Sequence, residues 1–304
     1  MTANTKTAIR SANGHSRIRK VLSYIDTHLH QPLSLDELAD HSCWSRWQLQ
    51  RVFQAETGLS VAAYVRELKL SAAAERLIDS SERVIDIAFT FGFASEVAFS
   101  RSFKQMFGVS PRVYRALGKR TGLRKPIVDL PAREALPRLG FAEVKVESKE
   151  AFLIHGVHSE IRGLFASEPD FQRKVPLLWR KLEAELTALD LQCNSSIGVV
   201  DVTQASSEGS PIQYWAGVAL QRAATLERKR TSQLDTLTVP SQTYAVISHR
   251  GPIEFLPATL EWFLLHWLPE SGYKGVEGYE LECYSENYQA DSMQAVMQYW
   301  VPIS

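Results

Sequence analysis

Arg51 and Arg101 hold the same place in a segment that this 304-residue chain writes twice. Between residues 45–64 and 95–114, Ser45/Ser95, Arg51/Arg101, Phe53/Phe103, Gly58/Gly108, Ser60/Ser110 and Tyr64/Tyr114 all recur at an offset of 50. The chemistry on offer is that of a hydrogen-bonding cation presented twice. A guanidinium can grip O6 and N7 of a guanine in bidentate fashion, or neutralise a phosphate. The serines and glycines are helix caps and the aromatic residues are core. A repeat that keeps caps, core and one exposed cation in register is two copies of one recognition unit, and two in tandem suit a long, asymmetric stretch of DNA.

Charge is distributed to match. The chain is neutral overall, yet residues 1–125 carry 19 Lys and Arg against 11 Asp and Glu, while residues 126–304 carry 15 against 23. A basic half joined to an acidic one fits a nucleic-acid-binding part attached to a part with another job. Cys43, Cys193 and Cys283 are far apart and form no C-x-x-C pair. Neither a disulfide framework nor a zinc site is expected from them, and a reducing cytoplasm is. His155, His158 and His249 fall on predicted strands without ligand spacing and read as structural histidines, so no metal and no cofactor is expected. No apolar run approaches the roughly 18 residues that span a bilayer. Met1 to Gly14 is polar, lacks the apolar stretch of a signal peptide, and is expected to be a flexible leader over 1–14.

What positions the two arginines is a run of short helices. Ile18, Val21, Leu22, Ile25 and Leu29 recur at helical spacing and predict an opening amphipathic helix that Pro32 ends. Ser34-Leu-Asp-Glu37 is a capping-box pattern for a helix over about 35–41, and Ser45-Arg-Trp-Gln48 starts the next, closed by Gly58. Two short helices about a tight turn make a helix-turn-helix, whose second helix can enter the major groove. A longer helix is predicted over 61–79, through Tyr64, Leu68, Ala72, Ala73 and Leu77. The device then repeats, with a helix near 84–90, a turn at Phe91-Gly92-Phe93, a helix from Ser95 to Phe107 and a last one opened by Ser110-Pro111. At ~1.5 Å per residue the connecting helix is about 27 Å long. That is close to the turn of DNA, about 34 Å, that separates two reading helices.

Residues 15–120 in this pattern resemble the DNA-binding domain of the AraC/XylS family of bacterial transcription regulators. Gly92-Phe93, Phe99-Ser-Arg-Ser-Phe-Lys104 and Phe107-Gly-Val-Ser-Pro-Arg-Val-Tyr-Arg115 reproduce its signature almost letter for letter, and Trp47-Gln-Leu-Gln-Arg51 resembles the Rob-like subgroup. The resemblance implies DNA-binding roles for Ser45, Arg46, Trp47, Gln50 and Arg51 in the first motif, and for Ser95, Glu96, Ser100 and Arg101 in the second. Lys104 and Arg112 fall to phosphates, which position the protein without specifying sequence. The residue chemistry agrees: Arg51 suits guanine, Gln50 adenine, and Trp47 the methyl group of thymine. Packing is the competing role for Trp47, and a solvated surface position the competing one for Arg51 and Arg101. Glu96, Val97 and Ala98 replace the amide and hydroxyl residues of the subgroup, so the first motif is expected to be the stronger reader.

Between 121 and 140, Arg124, Lys125 and three prolines mark a linker. Beyond it the texture turns to strands, and a second repeat appears. Ala151-Phe-Leu-Ile-His-Gly-Val-His158 resembles Thr243-Tyr-Ala-Val-Ile-Ser-His-Arg250. An amphipathic helix follows each, over Val175–Leu189 and Ile253–Leu268. Two strands follow each helix, Ile197–Val202 with Gln213–Leu220 and Tyr279–Tyr284 with Ala295–Pro302. The expected architecture is multidomain: an all-α N-terminal domain with two helix-turn-helix motifs, plus an α+β C-terminal domain of two β-α-β-β repeats.

From 141 to 304 this layout resembles the GyrI-like effector-binding domain. The strings that carry the resemblance are Tyr214-Trp-Ala-Gly-Val-Ala-Leu220, Trp267-Leu-Pro-Glu-Ser-Gly-Tyr273 and Leu281-Glu-Cys-Tyr284. It implies a groove that takes small amphipathic, often cationic, aromatic compounds, with Glu282 facing the ligand among aromatic side chains. Trp215, Tyr244, Trp262 and Tyr284 are the aromatics in question, each with ordinary core packing as its alternative. A carboxylate in an aromatic-lined cleft attracts a cation both by charge and by ring quadrupoles. Glu280, two residues along the same strand face, is the competing partner.

These resemblances imply a sequence-specific regulator, an activator in a stress or multidrug response, that binds double-stranded promoter DNA and contacts RNA polymerase. A small ligand in the C-terminal domain modulates it, in a bacterial cytoplasm, nucleoid-associated and without a membrane. It is not expected to be an enzyme. The alternatives are a GyrI-like hydrolase, with Glu282 as general base and Tyr284 as its partner, and a drug-sequestering protein. No Ser-His-Asp signature, metal cluster or phosphate loop supports catalysis.

Overall fold

The computed structural model describes residues 17–128, 130, 143–162, 170–191, 196–203, 212–219, 234–285 and 288–304. The expected leader over 1–14, Cys193, and positions 129 and 131–140 of the expected linker lie outside the described residues. The chain divides into two compact units, Met1–Ser42 with Val52–Ala132 and Cys43–Arg51 with Arg133–Ser304.

Helices build the first unit: α1 over 17–27, α2 (Leu35–Asp40), the end of α3 (Arg46–Thr57), α4 (Val61–Asp79), α5 (Val84–Thr90), α6 (Glu96–Phe107) and α7 (Pro111–Leu117). Serines start them. The hydroxyls of Ser34, Ser60, Ser95 and Ser110 accept the N–H of Glu37, Ala63, Ala98 and Val113, each satisfying a donor that the first helical turn leaves open. Gly58 and Gly108 end α3 and α6 at φ +72° and +75°, a left-handed backbone that costs an L side chain roughly 1–2 kcal/mol. The buried aromatic pairs recur with them: Phe53 on Tyr64 with centroids 5.5 Å apart, Phe103 on Tyr114 at 5.4 Å. Tyr64 accepts the N–H of Ile127 at 2.9 Å, and Tyr114 donates to the carbonyl of Thr121 at 2.8 Å. Arg124 donates its backbone N–H to Ser71 at 2.8 Å. The stretch from 121 to 127 is therefore held on the helical unit.

An eight-stranded antiparallel sheet carries the second unit: β1 (Glu143–Lys149), β2 (Phe152–Ile161), β3 (Ser196–Asp201), β4 (Ile212–Val218), β5 (Asp235–Val239), β6 (Gln242–Arg250), β7 (Tyr279–Tyr284) and β8 (Val296–Pro302). Their order is β1-β6-β8-β7-β3-β4-β2-β5. Exchanging the first four strands with the last four reverses this order without changing it, so a pseudo-twofold axis passes between β3 and β7. The repeat is one strand longer than β-α-β-β, because β1 and β5 precede the two copies. Both are edge strands. β1 is exposed at most of its positions, and an edge of this kind carries charge in place of apolar alternation, so no periodicity announces it.

Helix α8 (Phe171–Ala188) lies between β2 and β3 in the chain. The helix predicted over 253–268 is interrupted. A 3-10 turn (Ile253–Phe255), α9 (Leu256–Trp262), a π turn (Phe263–Trp267) and α10 (Leu268–Ser271) follow one another. Pro269 has no N–H for the carbonyl four residues back, and the helix widens immediately before it. Alternation along the strands sorts the apolar residues into two cores, one on each face. Val157, Val200, Ile212 and Tyr214 pack with Leu178 and Leu182 of α8. Ile197, Val199, Trp215, Tyr244, Leu281 and Trp300 form the other core.

Candidate functional site

Glu282 on β7 pairs across the pseudo-twofold axis with Gly198 on β3. The hydroxyls of Tyr284, on the same strand, and Tyr214, on β4, both donate to its Oε2, each at 2.7 Å. Trp179 of α8 donates its indole N–H to the Tyr214 hydroxyl at 3.1 Å and meets the Tyr284 ring edge-on at 5.4 Å. Tyr288 leans on Tyr284 at 4.7 Å. The carboxylate thus sits in an aromatic box, and the chain from indole N–H through hydroxyl to carboxylate polarises each of its links. Gly198 makes the room: a Cβ there would stand 2.5 Å from the Tyr214 hydroxyl and 2.7 Å from Oε2. Burial raises the pKa of Glu282, and the Tyr284 and Tyr214 hydrogen bonds pull it back. Burial also holds both tyrosines well above their ordinary value, so they stay donors.

Of the aromatics expected here, Tyr284 is in place. Trp215 and Tyr244 are not: both belong to the core on the opposite face of the sheet. Neighbouring strand residues face opposite ways, so the residue aimed at Glu282 is Tyr214 and not Trp215. Trp215 stacks on His158 at 4.2 Å, and Tyr244 meets Trp300 edge-on at 5.6 Å. Trp262 is half-buried in α9. Sequence alone does not single out Trp179, Tyr214 or Tyr288. Alternation with Val200 and Ile212 would have pointed to Tyr214 once the strand register was known; Tyr288, in a loop, carries no such signal. Glu280, the competing carboxylate, shares the face but is engaged elsewhere. Tyr299 donates to its Oε2 at 2.5 Å and Arg51 Nη1 stands 3.7 Å from the same oxygen. Burial raises its pKa and Arg51 lowers it.

His249 bonds Thr259 at 3.0 Å and the carbonyl of Pro252 at 3.1 Å, and His155 bonds Thr236 at 3.0 Å, which are structural arrangements. Cys43 is buried, and burial pushes the pKa of the Cys283 thiol up to about 11. Among the described residues, no group of three His, Cys, Asp or Glu is placed to hold a metal ion, and no helix is long and apolar enough to cross a membrane.

The second motif presents its cations outward. Arg101 and Lys104 of α6 and Arg112 of α7 are exposed, beside exposed Val97 and Ala98. Glu96 lies 3.8 Å from Arg112. Ser100 is half-buried, and Ser95 is engaged as the cap of Ala98.

The corresponding residues at the start of α3 are placed differently, inside the second unit. Ser45 and Gln48 form a reciprocal capping box, each backbone N–H reaching the other's side-chain oxygen at 3.2 Å. Trp44 donates to the carbonyl of Leu264 at 3.0 Å, and the N–H of Gly275 to that of Cys43 at 2.8 Å. Arg46 grips Glu277 with two guanidinium nitrogens, Nε at 2.6 Å from Oε1 and Nη2 on Oε2. Trp47 packs against the apolar cluster that contains Tyr214, and its indole N–H is buried without an acceptor among the described residues. The guanidinium of Arg51 stands 5.9 Å from the Trp47 ring centroid. Gln50 is half-buried.

Two helix-turn-helix motifs, one with an exposed basic face, and a twofold α+β unit with a carboxylate in an aromatic box define a DNA-binding regulator that carries a small-molecule-binding domain. Residues 38–117 match the helix-turn-helix domain family and residues 142–304 the GyrI-like small molecule binding domain family. The chain belongs to the GyrI-like family, as a transcription regulator of AraC/XylS type. It is 38% identical over 108 residues to the uncharacterized HTH-type transcriptional regulator YbfP of Bacillus subtilis, a match covering 36% of this chain and 37% of YbfP. It is 39% identical over 98 residues to the multiple antibiotic resistance protein MarA of Escherichia coli, covering 32% of this chain and 77% of MarA. With the transcriptional regulator Rob of Salmonella typhimurium the identity is 38% over 112 residues, covering 36% of this chain and 39% of Rob. The chain thus spans less than half the length of YbfP and of Rob, and its likeness to all three is confined to about a third of its own length.

Proposed function

We propose that the chain is a transcription activator of a stress or multidrug response, acting in the cytoplasm on promoter DNA and RNA polymerase, and that the Glu282 box takes a lipophilic cation. In this reading residues 15–120 bind DNA, 121–140 link, and 141–304 bind the effector. The likeness to MarA and Rob supports the first part. One observation carries the second: the hydroxyls of Tyr214 and Tyr284 and the Trp179 ring converge on a buried carboxylate. Such a carboxylate gains from a guest that brings both positive charge and apolar surface, and the surrounding rings add cation–π attraction.

Calorimetric titration of the full chain with tetraphenylphosphonium tests this reading. Glu282→Gln, with its thermal transition unchanged, should lower affinity by ten-fold or more, on the order of 1.4 kcal/mol; unchanged affinity overturns the assignment. For DNA, selection from a random duplex pool should recover an asymmetric site of roughly 20 base pairs, two recognition helices one turn apart. Recovery of no consensus would defeat the regulator reading.

A further inference from the structure

Segment Cys43–Arg51 carries Arg46, Trp47, Gln50 and Arg51, proposed above to touch DNA, and it belongs to the compact unit that holds Glu280 and Glu282. Its contacts there are particular ones. Glu277 takes both ends of the Arg46 fork, a geometry that a guanine edge or a phosphate would otherwise claim. Arg51, with its side chain 15% exposed, faces Glu280, at 3%. Trp47 packs on the cluster of Tyr214, the residue that donates to Glu282. With the Arg51 guanidinium 5.9 Å from its ring, the Trp47–Arg51 pair is an aromatic surface carrying a cation. That is the chemistry of the guest the Glu282 box is built to take.

We propose that Cys43–Arg51 is an intramolecular competitor: Trp47 and Arg51 serve as a built-in aromatic cation beside the box, and a lipophilic cation bound at Glu282 displaces them and frees the first reading helix for DNA. The inference rests on the reading of Glu282 as the cation's partner. Arg51 cannot hold Glu280 and a guanine at once, and Trp47 cannot lie in the apolar cluster and against a thymine methyl at once. Docking of the segment and base reading by α3 therefore exclude each other. Two opposed features poise the docked state. Burial of Glu280 favours keeping Arg51 beside it, because a buried carboxylate left without its cation is costly. The indole N–H of Trp47, buried without an acceptor among the described residues, works against docking. Arg101, Lys104 and Arg112 of the second motif are exposed with the segment docked and lie outside this control. Linkage makes the coupling reciprocal, so DNA read by α3 raises affinity for the cation.

Two measurements on the full chain test the proposal. Hydrogen exchange with saturating tetraphenylphosphonium should show loss of amide protection across 43–51 and none across α6. Glu277→Ala and Glu280→Gln leave Glu282 and every proposed DNA contact in place. Without cation they should tighten binding to a duplex recovered from a random pool on the order of ten-fold and shrink the further gain that cation gives. Glu277 is partly exposed, so its variant reports even if loss of the buried Glu280 carboxylate unfolds the chain. Unchanged protection at 43–51 with calorimetrically bound cation overturns the competitor while leaving the Glu282 reading intact. So does wild-type DNA affinity in Glu277→Ala. A cation that does not bind at all overturns both.

Discussion

Gly198 is the residue on which the ligand box depends without touching a ligand. A Cβ there would clash with the Tyr214 hydroxyl at 2.5 Å and the Glu282 carboxylate at 2.7 Å, so Gly198→Ala should move one of them, costing about 1–3 kcal/mol of stability and weakening tetraphenylphosphonium binding in the same titration. The pH dependence of that binding has a definite sign. The charged carboxylate attracts the cation, and burial raises the pKa of Glu282. Affinity should be full above the raised value and lost as pH falls through it, with a midpoint above that of an exposed glutamate; Glu282→Gln should flatten the profile. The contribution to stability runs the other way: a carboxyl whose pKa is raised on folding stabilises below its unfolded value, and that benefit fades as pH rises through the folded one.

At the scale of elements, the two reading helices differ in how they are held. Both begin at a serine, but only Ser45 finds an amide three residues on that returns the bond; Ser95 caps Ala98, which has nothing to return. Thermal melts should show Ser45→Ala losing more than the ~1 kcal/mol expected of a single cap and Ser95→Ala losing about that amount. The helices were legible in the chain because caps, glycine stops and the 3.6-residue period are local. The predicted span of 61–79 coincides with α4 (Val61–Asp79). The edge strands β1 and β5 were not legible. Their partners lie far along the chain, in β6 and β2, and an edge needs no apolar alternation of its own. The break at the π turn was likewise hidden, although Pro269, its physical cause, is visible in the sequence.

For the molecule as a whole, the division of charge into a basic first half and an acidic second predicts DNA binding with a strong salt dependence. Lys104→Ala should weaken binding to all sequences alike and lower the slope of log affinity against log salt by about 1. Arg101→Ala should instead cost ~1–3 kcal/mol on the selected site and relax its sequence preference. By itself the sequence determined the duplicated motif, its caps and turns, and the class of regulator, because those features are written within a few residues of one another. Tertiary structure alone decided which neighbour of a pair reaches a carboxylate. Tyr214 faces Glu282 while Trp215 faces away, and Arg51 meets Glu280, not solvent. Strand register sets the first and long-range packing the second, and both join residues that the linear order keeps far apart.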